Sequence, residues 1–147
     1  MKELYEKGSA NYPRLRTDTL FSDYENAFTY WGDINEAIRH IEAVQMLDPS
    51  LWKRFVDQFL EKSDCDGSWR GEFWGKLMRG AALTYSYTKN PELYRQLEQT
   101  VEDMLTTQEA DGRISTYSQE TEFTAWDLWC RKYVLLGMQY FSGDLPK

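Results

Sequence analysis

Histidine is almost missing from this sequence: His40 is the single one in 147 residues, and cysteine occurs only as Cys65 and Cys130. One imidazole cannot build a His-based metal site, and the two cysteines fit no zinc-ligand spacing. No motif surrounds His40, so Ser-His-Asp chemistry has no support. A Cys65–Cys130 disulfide would require an oxidising compartment. Cys130, inside an apolar helical stretch, reads instead as a small buried hydrophobe.

Long apolar runs are absent too. None approaches the roughly 20 residues a membrane-spanning helix requires. The segment Met1-Lys2-Glu3-Leu4-Tyr5-Glu6-Lys7 lacks the apolar centre of a signal peptide, so the chain as written is expected in the cytoplasm. Positive charge is scarce: 17 Lys and Arg face 24 Asp and Glu, for a net charge of −7 and a pI near 4.8. Without a basic stripe to offset this, nucleic acid and anionic membranes are excluded as expected partners.

Aromatic residues are plentiful. Six Trp, ten Tyr and seven Phe make up 16% of the chain, enough for a thick helical core or a sugar-stacking cleft. Residues 1–16 show no clear period and read as an arm, leaving 17–147 as a helical-hairpin domain. After Thr17, a candidate N-cap, Leu20, Phe21, Tyr24, Ala27, Phe28 and Trp31 recur at helical spacing up to Gly32. Asp33-Ile34-Asn35-Glu36 is an acidic relative of the capping box, with Ile34, Ala37, Ile38 and Ile41 as the expected buried stripe.

Asp48-Pro49 then caps a helix whose apolar face is Leu51, Trp52, Phe55, Val56, Phe59 and Leu60, with a charged face opposite. Asp66-Gly67 marks the following turn. A helix from Glu72 to Thr88 is apolar nearly all round and expected to be buried, with Gly75 and Gly80 admitting close neighbours. Asn90-Pro91 caps another wet-sided helix, striped by Leu93, Leu97, Val101, Met104 and Leu105. Asp111-Gly112 ends it, Arg113 to Tyr117 reads as an extended loop, and a last apolar helix is predicted from about Glu122 to Phe141.

The plan repeats: wet helix, Asp-Gly turn, extended loop, buried helix. Glu72-Phe73-Trp74, Lys76, Leu83 and Tyr85 align with Asp127-Leu128-Trp129, Arg131, Met138 and Tyr140, every pair 55 positions apart. Repeated helical hairpins build either a solenoid or a closed toroid. Alternation of wet and dry helices favours the toroid, where inner helices lose their polar face to outer ones. The fold class expected is all-α: antiparallel helical hairpins of an (α/α) toroid, four to five main helices forming an incomplete barrel.

In such a barrel the loops entering successive inner helices share one rim. That rim collects Trp69, Arg70 and Glu72 from the first loop, and Arg113, Tyr117, Glu120, Glu122, Trp126 and Asp127 from the second. Aromatic faces beside carboxylates and guanidinium groups suit sugars. Trp69, Arg70, Glu72, Trp126 and Asp127 are the candidate substrate-binding residues, and none is assigned a catalytic role. Glu72 and Asp127 form the carboxylate pair that glycoside cleavage requires, yet each also opens a helix, where the dipole favours an acid without any chemistry. Trp74 and Trp129, deeper in their helices, are expected in the core.

Gly71-Glu72-Phe73-Trp74-Gly75-Lys76, Tyr87-Thr88, Asn90-Pro91-Glu92-Leu93, Gln108 and Asp111-Gly112-Arg113-Ile114-Ser115-Thr116-Tyr117, continued by Trp126 to Tyr133, resemble the β-L-arabinofuranosidase family, glycoside hydrolase family 127. The resemblance implies an α/α toroid and retaining hydrolysis at a zinc-bound cysteine centre. Its nucleophile, zinc ligands and acid/base glutamate map to none of these residues. No cofactor is therefore expected in this chain, with zinc belonging to full-length members, and the chain by itself is not expected to be catalytically complete. Tyr133 stands where many members carry His, a departure that bears on the sugar recognised. The expected partner is a carbohydrate, with self-association through unpaired inner helices. A standalone helical-repeat module that binds protein is the alternative.

Overall fold

The computed structural model describes residues 5–7, 13–15, 30–64 and 71–144. The helix predicted before Gly32, the first Asp-Gly turn and Cys65 lie outside them. Within the arm, β1 (Tyr5–Lys7) pairs antiparallel with β2 (Pro13–Leu15), Glu6 opposite Arg14, a small ribbon that no period in residues 1–16 announces. The other regular elements are helical, as the all-α reading requires.

Helix α1 (Asp33–Ile41) starts after Gly32, whose φ of 65° suits glycine, and no side chain caps it. The capping-box reading of Asp33 is therefore corrected: Asp33 is the first helical residue. Its stripe is corrected as well. Ile34 is 58% exposed and Ile41 42%, because nothing among the described residues packs over them. A π-helical turn over Glu42–Met46 follows, with the Leu47 N–H reaching back to the Glu42 carbonyl at 3.0 Å. It leaves the Met46 carbonyl free to accept from Trp52 Nε1 at 2.8 Å.

Helices α2 (Pro49–Glu61) and α4 (Pro91–Thr106) begin as their sequences dictate. Asp48 and Asn90 each accept the N–H two residues on, at 2.9 Å, and a proline takes the first helical position in both. Each buries one stripe: Trp52, Val56 and Phe59 from α2, and Leu93, Leu97 and Met104 from α4. Leu60 and Leu105, placed at the edge of these stripes by their spacing, remain exposed.

Helix α3 (Glu72–Thr88) fills the predicted span, and Trp74, Met78, Ala81 and Ala82 are wholly buried. Phe73 and Leu83 are its exceptions, each more than a third exposed. Trp74 Nε1 donates to Thr100 Oγ1 of α4 at 2.9 Å, which satisfies the one polar atom of a side chain whose removal would cost about 3–5 kcal/mol.

Helix α5 (Asp127–Asp144) runs parallel to α3 and in intimate contact with it. Gly71 meets Cys130, Gly75 meets the Tyr133 backbone, and Gly137 lies against Trp74 and the Gly75 Cα. A Cβ on Gly75 would sit 1.9 Å from the Tyr133 carbonyl oxygen, so glycine alone permits this approach. Gly80 does nothing comparable: the nearest atom to a Cβ there is a Met46 methyl at 3.9 Å, which corrects its expected role. Helix α2 packs against α4 and α3 against α5, with α3 also touching α2 and α4.

The last helix starts later than predicted. A 3₁₀ turn over Gln119–Thr121 and a tight segment through Trp126 precede it. Phe123 and Ala125 take φ values of 62° and 43°, a left-handed conformation costing about 1–3 kcal/mol each.

Candidate functional site

The acid that opens each inner helix is built in the same way. Glu72 begins α3 and pairs with Lys76 at 2.6 Å; Asp127 begins α5 and pairs with Arg131 at 2.9 Å. The 55-residue repeat is therefore a physical one, an acid at the helix start held by a base one turn on, where macrodipole and ion pair act together. The surroundings of the two acids then diverge.

Asp127 is fully buried. It accepts from Ser115 Oγ at 2.5 Å, from the Phe123 N–H at 2.9 Å and from Arg131 Nε at 3.0 Å. Burial pushes its carboxyl up, but these partners outweigh burial and hold it below its ordinary value. The same partners fold the loop: pulling the Phe123 N–H toward Asp127 is what holds Phe123 at positive φ. Arg131 continues to Glu122 at 2.5 Å, and Glu122 to Arg113 at 3.1 Å. Arg113 in turn meets Glu109 at 2.6 Å and the Tyr117 carbonyl, and Lys62, which caps the C-terminus of α2, pairs with Glu109. Arg113 and Tyr117, counted on the rim from sequence, are thus buried parts of the loop's own frame.

Glu72 faces the other way. Its second oxygen accepts the indole N–H of Trp129, tying α3 to α5. Burial raises its carboxyl, while Lys76, Trp129 and the nearby charge of Lys132 lower it further, leaving it below the ordinary value. Trp129 is 40% exposed, which corrects its expected place in the core. The reason is geometric: α3 meets α5 through Gly75 and Gly137, so the 55-residue equivalence of Trp74 and Trp129 puts only the first of them between the layers. Trp126 lies edge-on to Trp129 with ring centres 6.1 Å apart, and Tyr133 does the same from the other side at 5.3 Å. Trp126 is also 40% exposed. The result is a shelf of three aromatic rings beside a buried carboxylate and two lysines, Lys76 and Lys132.

Of the sequence candidates, Glu72 and Trp126 are brought to this shelf, and Asp127 stands behind it within the loop frame. Trp69 and Arg70 lie outside the described residues. Trp129 and Lys132 are not among the sequence candidates, and Tyr133 enters them only as a departure from the family pattern. Their signal was present in the helical phase, since 126, 129 and 133 recur at three- and four-residue steps on one face.

Among the described residues no three of His, Cys, Asp and Glu come together as metal ligands. Cys130 is wholly buried, and burial together with Asp64, Glu72 and Asp127 pushes its thiol up to about 11. No helix among the described residues is long and apolar enough to cross a membrane. A shallow groove of about 380 Å³, lined by Leu47, Pro49, Glu92, Arg95, Gln96 and Gln99, involves none of the shelf residues.

Residues 20–142 match the family model described as β-L-arabinofuranosidase, GH127 catalytic domain. The chain belongs to that family. No curated protein and no solved structure matches it. Membership gives the helices a glycoside hydrolase context.

Proposed function

We propose that this family 127 chain supplies a wall of a carbohydrate-binding cleft, with the Trp126–Trp129–Tyr133 shelf holding a sugar ring and Glu72 fixing the shelf. The observation that carries this reading is the indole of Trp129: half out in solvent, yet pinned by its N–H to a buried carboxylate. A core tryptophan has no need to surface, and an incidental surface tryptophan has no need of an orienting partner. A pre-set aromatic face lowers the ordering cost of binding a weakly held ring. Trp69 and Arg70 are proposed to add to the same cleft, and Asp127 to position the loop that carries Trp126.

Bond cleavage is assigned elsewhere in the family 127 fold. Both carboxylates of the pair are committed to internal partners, which supports binding over acid–base or nucleophilic work. The test is a titration of intrinsic fluorescence with L-arabinose and other pentoses. Quenching that disappears in Trp129→Ala and survives in Trp31→Ala supports the reading; no response to any sugar overturns it.

A second role rests on a separate observation. Trp31, Ile34, Ile41 and Val44 around α1, and Leu128 and Leu135 on α5, are exposed. Apolar faces of this kind support association with a protein surface, a second copy of this chain included. The net charge of −7 supports no role on nucleic acid.

A further inference from the structure

We propose that the sugar held on this shelf is an acidic one, a uronate whose carboxylate is received by Lys132. This rests on the carbohydrate reading above and specifies its substrate class. Lys132 Nζ lies 3.4 Å from the centre of the Trp129 ring and 4.3 Å from that of Tyr133. Lys76 Nζ also lies over Tyr133, 5.0 Å from its centre. Glu72 is the one acid in the group, and Lys76 occupies it at 2.6 Å. No salt bridge among the described residues involves Lys132, whereas Arg113 and Arg131 each hold two carboxylates. The shelf therefore carries a net positive charge in a chain whose total is −7.

The geometry discriminates between sugars. In the free protein the ammonium of Lys132 rests on the ring that a sugar must stack against. A neutral pyranose or furanose has to displace that ammonium, losing a cation–π contact and offering only hydroxyls in return. A uronate displaces it too, but its carboxylate then takes the ammonium as a charge-assisted partner at the ring edge. The aromatic face and the cation are used together, and a free carboxylate without a ring would use only the second. Electrostatic capture of an anion by this positive group adds salt dependence to the binding.

The experiment is a fluorescence titration of the intact chain at low salt with four probes: D-galacturonate, its neutral methyl ester, D-galactose and acetate. The result expected is that galacturonate binds about three- to tenfold more tightly than either neutral sugar, and that acetate does not bind. Lys132→Met keeps the stem over Trp129 and, being an exposed change, leaves the melting temperature in place. It is expected to erase the preference while neutral sugars bind as before or better. Equal binding of galacturonate and its ester overturns the acidic-sugar assignment and leaves the carbohydrate reading standing. A preference that persists in Lys132→Met, or acetate binding that matches galacturonate, also overturns it. No binding of any sugar overturns both.

Discussion

Trp129 and Glu72 come from different helices, yet the indole N–H of the first ends on the carboxylate of the second. That hydrogen bond crosses the α3–α5 seam and sets the angle at which the shelf meets solvent. Glu72→Gln keeps the shape and removes the charge. The Lys76 pair is then lost, and the bond to Trp129 becomes a neutral one. Because Lys76 is half exposed, the expected loss of stability is modest, about 1 kcal/mol by urea unfolding. A double-mutant cycle with Trp129→Phe should return a coupling of about 0.5–1 kcal/mol, and zero coupling would mean that the contact does not orient the ring.

The two glycines of α3 predict changes of opposite sign. Gly75→Ala drives a methyl onto the Tyr133 backbone, and backbone cannot swing aside as a side-chain tip can. The inner helices must separate, at a cost of about 3 kcal/mol or more. Gly80→Ala meets only a methyl at van der Waals distance and removes the entropic penalty of a mid-helix glycine, for a gain of about 0.5–1 kcal/mol. Chemical denaturation of both variants checks the pair. Similar effects at the two positions would contradict the parallel α3–α5 contact.

That contrast shows how far the sequence reaches. Caps at Asp48 and Asn90, proline at the first helical positions and the full span of α3 were legible because each depends on neighbours in the chain. Which glycine lies in a seam depends on distant residues such as Tyr133 and Gly137, and no local pattern distinguishes Gly75 from Gly80. Burial of α1 failed for the same reason: its period defines an apolar face, while tertiary partners decide whether the face is covered. The delayed start of α5 is a third case. Asp127 gathers Ser115, Phe123 and Arg131 around itself, and that loop frame overrides the helical period of residues 122–126. For the site, Glu72 and Trp126 are visible as rim residues, whereas depth within its helix points Trp129 to the core, and only the α3–α5 packing brings it to the surface.

Cys130 predicts a silent thiol. It sits under Gly71 and Thr116, and burial beside three carboxylates raises it to about 11. The thiolate is therefore negligible at neutral pH. In a Cys65→Ser background, thiol reagents at pH 8 should label Cys130 only at the rate of global opening, and at once in denaturant. Fast labelling of the native protein would mean that the α3–α5 seam opens locally.

Acid should loosen the loop frame once Asp127 is protonated. The Asp127 carboxyl is held below its ordinary value of 3.8, since Arg131, Ser115 and the Phe123 N–H together outweigh its burial. The unfolded chain therefore binds the proton more readily, and stability from this group rises with pH across that window. The contribution is complete above about pH 5 and is lost as pH falls through the folded-state value, below 3.8. The melting temperature should accordingly be level from neutral pH to about 5 and decline beneath 4. Asp127→Asn leaves Arg131 with Glu122 alone and forfeits about 2 kcal/mol at neutral pH. Its acid decline should be shallower, so that the two curves converge as pH falls through the folded-state value. Parallel curves would mean that Asp127 is not the group whose protonation releases the loop, and that Glu72, also held low, dominates the acid response.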